Sequence, residues 1–167
     1  PGKVLCATDP FLDEVLGADL ARPMGAIRSG ATVAHLAYYV ARYLGCDPVA
    51  LIGQDLAFTN GQYYGSGAAI HEVWASELGE FTTLEMREWE RIARMKLLLR
   101  RVTDQSGNPA YTDEQMSTYL VQFQRDFKAD AATGLTTIDA TEGGIIKLNT
   151  TIATLADTLA THGKDAI

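Results

Sequence analysis

Apolar residues along this chain come in two patterns, short unbroken runs and stripes spaced three or four apart, and the two follow one another in order. Lys3 to Thr8, KVLCAT, is a run that stops at Asp9-Pro10. Proline disfavours helix at the residue before it, so the segment predicts a buried strand followed by a loop. From Asp13 to Arg28 the pattern is broken by Gly17, Pro23 and Gly25, and predicts a short helix with an irregular connection. Ser29-Gly30-Ala31-Thr32 then opens a helix in which Val33, Leu36, Ala37, Val40 and Leu44 repeat as one buried stripe. Gly45 supplies its left-handed stop, with Pro48 just beyond. Val49 to Ile52 is a continuous apolar run, the pattern of a strand covered on both faces of a parallel sheet. Helix, tight turn and buried strand in that order predict an α/β fold class.

The second half repeats the alternation. Helices are predicted over Ala68 to Leu78 and from Leu84 onward. The latter either continues to about Arg101 or breaks near Lys96 into a strand, KLLLRRVT, which pairs across DQSGNP with Ala110-Tyr111. Thr112-Asp113-Glu114-Gln115 has the side chains of a capping box, and Met116, Tyr119, Leu120, Phe123 and Phe127 form the stripe of the helix it opens. Leu135 to Thr141, LTTIDAT, is a β-branched strand segment that runs into Glu142-Gly143-Gly144. A last helix is expected to bury Ile152, Leu155 and Leu159.

Composition narrows the class. With 47% hydrophobic and 21% charged residues in 167, the chain is expected to fold as one soluble domain over 1–167. It begins at Pro1 without a methionine, which reads as a piece of something longer. Cys6 and Cys46, far apart and in apolar surroundings, are expected to be buried thiols of a reducing cytoplasm. No apolar stretch is long enough to span a bilayer, so no membrane partner is expected. A formal charge of -7 argues against nucleic-acid binding. Five of the 14 basic residues gather in Arg91 to Arg101, RIARMKLLLRR; as a group they read as a solvated face, although one bound phosphate would need only one or two.

In an open parallel sheet, ligands bind beyond the carboxyl ends of the strands. Thr8 to Phe11, Gln54 to Tyr64 and Thr141 to Gly144 share that address, and the amino end of the helix at Ser29 to Thr32 can meet them with free N–H groups. Each part also has a purely structural reading. Asp55 can cap a turn, and Asn60-Gly61 is a standard turn dipeptide. Tyr63 and Tyr64 point opposite ways in an extended segment, so at least one hydroxyl should face outward. His71 beside the loop is the better acid/base candidate, His35 reads as a packed histidine, and His162 near the tail as incidental. Three scattered histidines make no metal site, and none is expected. There is no glycine-lysine-serine phosphate loop and no Asp-x-Asp; Gly65 to Ile70, GSGAAI, lacks the preceding strand a dinucleotide fingerprint needs.

Three blocks then stand out: SGATVAHLAYYVARYLGCDPVALIGQDLAFTNG (Ser29 to Gly61), YTDEQMSTYLVQF (Tyr111 to Phe123) and IDATEGG (Ile138 to Gly144). Together they resemble the motility-associated factor family, bacterial proteins implicated in glycosylating flagellin with sialic-acid-like nonulosonic sugars. That domain is related to an archaeal 6-hydroxymethylpterin diphosphokinase family. The resemblance implies a Rossmann-like three-layer domain with a mostly parallel sheet, similar to bacterial sialyltransferases. It implies a CMP-activated sugar as donor, flagellin as acceptor and no tightly bound cofactor. By motif position the donor would meet Ser29, Gly30, Thr32, Asn60, Gly61, Tyr64, Glu142, Gly143 and Gly144, with Asp55 and His71 as the catalytic residues. The family's upstream Gly-x-Gly-Pro-Ser-Leu segment has no counterpart here, which implies a domain truncated on its N-terminal side. The related kinase activity, diphosphate transfer from ATP with Mg2+ to a hydroxymethylpterin, is the alternative chemistry. A noncatalytic flagellin-binding module is the alternative class, for which Leu97-Leu98-Leu99 would supply an apolar patch.

Overall fold

The computed structural model of the chain describes residues 14–15, 27–65, 67–94 and 98–163. The expected first strand, Lys3 to Thr8, lies outside the described residues, as do Cys6, nearly all of the predicted Asp13–Arg28 connection, and Leu97 of the leucine run. The chain divides into two compact units, residues 1–46 and 47–167.

In the first unit, helix α1 spans Val33–Tyr43. Its N-cap is Thr32, whose hydroxyl accepts from the His35 backbone N–H and pairs with His35 Nδ1 at 2.8 Å. The helix stops where Gly45 takes a φ of 77°. The predicted stripe is not the buried one: Val33 and Leu44 are exposed, and His35, Tyr38 and Tyr39 are buried instead. These three also sit at helical spacing, so the face of the helix that is covered is the aromatic one. Cys46 is exposed, which corrects the expectation of a buried thiol.

The second unit is built on its central strand. Strand β4 (Thr137–Asp139) is buried at every position, and it lies between β1 (Val49–Leu51) and β5 (Thr151–Ile152), both parallel to it. Val49 and Leu51 are buried but Ala50 and Ile52 are exposed, so among the described residues β1 is covered on one face, which corrects the expectation of a strand covered on both. Between β1 and β4 come a 3-10 turn (Thr59–Gly61), α2 (Ala69–Trp74), a second 3-10 turn (Ala75–Glu77) and α3 (Leu84–Arg94). An antiparallel hairpin follows, β2 (Arg100–Thr103) with β3 (Pro109–Thr112), so the strand alternative is the one adopted beyond α3. Its turn is held by Asp104 Oδ1, which accepts from Ser106 N and Asn108 N at 2.9 and 2.8 Å.

Helix α4 (Glu114–Ala131) carries the predicted stripe, with Phe123 and Phe127 fully buried and their rings stacked at 5.3 Å. Helix α5 (Leu155–His162) buries Thr158 rather than Leu155 or Leu159, and Ile152 belongs to β5 and is exposed. Among the described residues no helix is long and apolar enough to cross a membrane.

Asp113 is the N-cap of α4, its buried carboxylate accepting from Met116 N at 2.6 Å. Asp113→Ala is expected to cost about 1–2 kcal/mol, lowering the melting temperature by roughly 2–8 °C. An unchanged melting curve would mean that the cap contributes nothing.

Candidate functional site

Parallel pairing puts the carboxyl ends of β1 and β4 on the same side, and hydrogen bonds join the segments that leave them. Ala140 N donates to Leu51 O at 2.9 Å, Gln54 N to the Thr141 hydroxyl at 3.3 Å, and Ile145 N to Asp55 O at 2.9 Å. Gly144, at a φ of 69°, lies so close that an added Cβ would overlap the Asp55 backbone. Only glycine meets both demands. The expected Gln-Asp and Glu-Gly-Gly loops therefore do come together, but as packed partners at Gly144.

Asp139, the last residue of β4, anchors this junction from beneath. Its Oδ2 accepts from Lys147 Nζ at 2.9 Å and from Gln105 Nε2 at 2.7 Å, and its Oδ1 from Thr141 N at 3.3 Å. Both charged side chains are fully buried. Lys147 Nζ also donates to Ile145 O at 3.2 Å, so the pair ties strand, loop and hairpin turn together. Glu142 is engaged by a different element: its Oε1 accepts from Leu155 N at 2.7 Å, at the start of α5. Gly143 lies beside the Asp55 carboxylate, which is half-buried and has neither a hydrogen bond nor an ion pair among the described residues.

A second cluster forms where the tyrosine loop meets α3. Leu84, Glu88 and Ile92 stand at i, i+4 and i+8 on one side of that helix, and Glu88 and Ile92 are buried. A carboxylate in that stripe must be satisfied by donors. Glu88 Oε2 accepts from the backbone N–H groups of Tyr63 and Tyr64 at 2.6 and 3.2 Å, and Oε1 pairs with His71 Nε2 at 2.7 Å. A carboxylate has no proton to give, so in the neutral ring Nε2 carries the hydrogen and Nδ1 the lone pair. Nδ1 has no hydrogen bond among the described residues.

Aromatic rings line the same place. Tyr63 stacks on Phe58 at 5.5 Å and meets Tyr64 edge-on at 4.8 Å; Trp74 lies 6.0 Å from Tyr64 and 5.8 Å from His71. The Arg91 guanidinium sits over both tyrosines, 5.7 Å from the Tyr63 ring and 5.9 Å from that of Tyr64. Asn60, at a φ of 56°, and Gly61 shape the turn before them, and Gly61 abuts the indole of Trp89 too closely for a side chain. A histidine base fixed by a carboxylate, ring faces and a cation can together bind a planar or anionic ligand and take a proton from it.

The expected residues thus fall into separate places. Tyr64 and His71 belong to the aromatic cluster, with Asn60 and Gly61 in the turn that leads to it, and Asp55, Glu142, Gly143 and Gly144 to the strand-end junction. Ser29, Gly30 and Thr32 belong to the first unit, and Thr8 to Phe11 lies outside the described residues. No hydrogen bond joins Asp55 to His71 among the described residues; the partner of His71 is Glu88, which the pattern of the sequence did not single out. Its signal was present, an acid at a buried-stripe position between Leu84 and Ile92.

Compared with known proteins, the chain matches no family model, no curated protein and no solved structure.

Lys147→Met leaves the Asp139 carboxylate buried without its cation and is expected to destabilise the protein by about 3–5 kcal/mol in chemical denaturation. Gly144→Ala is expected to cost about 2 kcal/mol or more, because a left-handed φ and an overlap with Asp55 combine. Midpoints unchanged by either substitution would contradict this junction.

Proposed function

We propose that this chain is a glycosyltransferase-like domain of the motility-associated kind, with a Rossmann-like three-layer arrangement, acting in the cytoplasm. It transfers a nonulosonic sugar from a CMP donor to a serine or threonine hydroxyl of flagellin. The family part rests on the three sequence blocks, and the chemical part on one observation, the His71–Glu88 pair at 2.7 Å beside Tyr64 and Arg91.

In this reading the acceptor hydroxyl loses its proton to His71 Nδ1 as its oxygen bonds to the anomeric carbon. The bond from that carbon to the CMP phosphate breaks, and CMP leaves with the electron pair. Glu88 holds the ring in the reactive tautomer and offsets the imidazolium that forms, while the Tyr64 hydroxyl donates to the departing phosphate. Asp55, half-buried and without a partner among the described residues, accepts from a donor hydroxyl. The Tyr64 and Trp74 ring faces favour a second reading, a slot for a pterin ring with diphosphate transfer from ATP and Mg2+.

With a CMP-nonulosonate and flagellin as substrates, His71→Ala should lower kcat by at least about a hundredfold and change the donor KM little. Glu88→Gln, which keeps the shape but not the charge, should lower kcat less. Transfer by His71→Ala at the wild-type rate would overturn the assignment. Absence of transfer together with diphosphorylation of hydroxymethylpterin from ATP would replace it with the second reading.

A further inference from the structure

We propose that Arg91 selects an acidic ligand at this site by gripping the carboxylate of the sugar; the inference rests on the transferase reading above and names the ligand group that reading left open. Arg91 opens the basic run Arg91 to Arg101 and follows Glu88 by three residues on α3, so both side chains leave the same side of the helix. Its neighbours are engaged. Arg87 pairs with Glu77 and Glu90, and Arg94 with Glu90. Arg91 has no carboxylate partner among the described residues, and the acid nearest to it along the helix face, Glu88, is already taken by two backbone N–H groups and His71.

The two tyrosine faces hold the guanidinium through their ring quadrupoles, at 5.7 and 5.9 Å, which consumes none of its N–H donors. The result is a positioned cation whose fork remains open to a planar anion. A carboxylate matches that fork with two parallel hydrogen bonds. Phosphate shares the oxyanion chemistry, but in a nonulosonic sugar the carboxylate is attached to the anomeric carbon, the carbon that His71 must serve. Tyr64 lies 4.8 Å from Tyr63 and 6.0 Å from Trp74, and Trp74 5.8 Å from His71, so cation and base border one continuous set of rings. A ligand held there by its carboxylate has its reacting carbon next to the held group.

Ligand-observed NMR titrations with N-acetylneuraminic acid, its methyl ester and CMP test this directly. The wild-type protein should bind the free acid about tenfold or more tightly than the ester, because esterification removes the charge and one acceptor oxygen. Arg91→Ala should abolish that difference, and Arg91→Lys should retain part of it, with CMP affinity unchanged in both. Equal binding of acid and ester by the wild-type protein would overturn the proposal, as would failure of the acid to bind. So would a loss of CMP affinity in Arg91→Ala with the acid–ester ratio intact, which would assign Arg91 to the phosphate. The wild-type ratio needs no variant to fold. If acid discrimination by Arg91 holds while no sugar is transferred, the selection stands and the transferase reading falls; transfer that depends on His71 without discrimination gives the reverse.

Discussion

A carboxylate placed in the buried stripe of an otherwise charged helix dictates what must come to it. Glu88 is buried on α3 and would cost several kcal/mol if left without donors. It is met by the N–H groups of Tyr63 and Tyr64 and by His71, three donors from a segment that forms no strand and has little helix of its own. One side chain therefore sets the path of the tyrosine loop, the side on which its rings stand, and the tautomer of the histidine. The arrangement of His71 and the two tyrosines is a consequence of satisfying a buried acid.

The strand-end junction supplies a fixed base for that loop. Asp139 and Lys147 are both buried, and their pairing joins β4 to the segment after the glycine turn, while Gly144 lets that segment press against Asp55. Asp55 is thus fixed through its backbone, and its carboxylate is left for other partners. Farther along, the loop from β1 is clamped again where Phe58 N donates to Tyr111 O at 2.6 Å and the Thr112 hydroxyl to Leu56 O at 2.9 Å. The tyrosines leave a segment already tied to two elements, which is what a preorganised site requires.

Local signals were enough for much of this. The stop at Gly45 and the Phe123–Phe127 stripe were legible because each depends on residues within one or two turns, whereas the box read at Thr112 to Gln115 falls one residue early: the cap is Asp113, and the Thr112 hydroxyl goes to Leu56 O instead. The parallel address shared by the Asp55 and Gly144 loops was legible too, since strand order and chain direction imply it. Burial was harder to read. On α1 the aliphatic stripe lost to Tyr38 and Tyr39, and on α5 Leu159 is exposed, because which face is covered depends on neighbours far away in sequence. Strand β5 is two residues long and exists only through its pairing with β4, so no periodicity announced it. Glu88 was passed over for a related reason: an acid in a helix rich in charge looks solvated until the spacing of Leu84 and Ile92 is weighed. Whether Glu142 met a ligand or the start of α5 depended likewise on contacts outside its own segment.

The central claim is that Glu88 fixes His71 with its hydrogen on Nε2 and its lone pair on Nδ1. Long-range nitrogen–proton NMR correlations of the His71 ring at neutral pH report that directly. A spectrum in which Nε2 is protonated and Nδ1 is pyridine-like is the predicted result. A proton on Nδ1, or fast averaging between the two tautomers, would contradict the account.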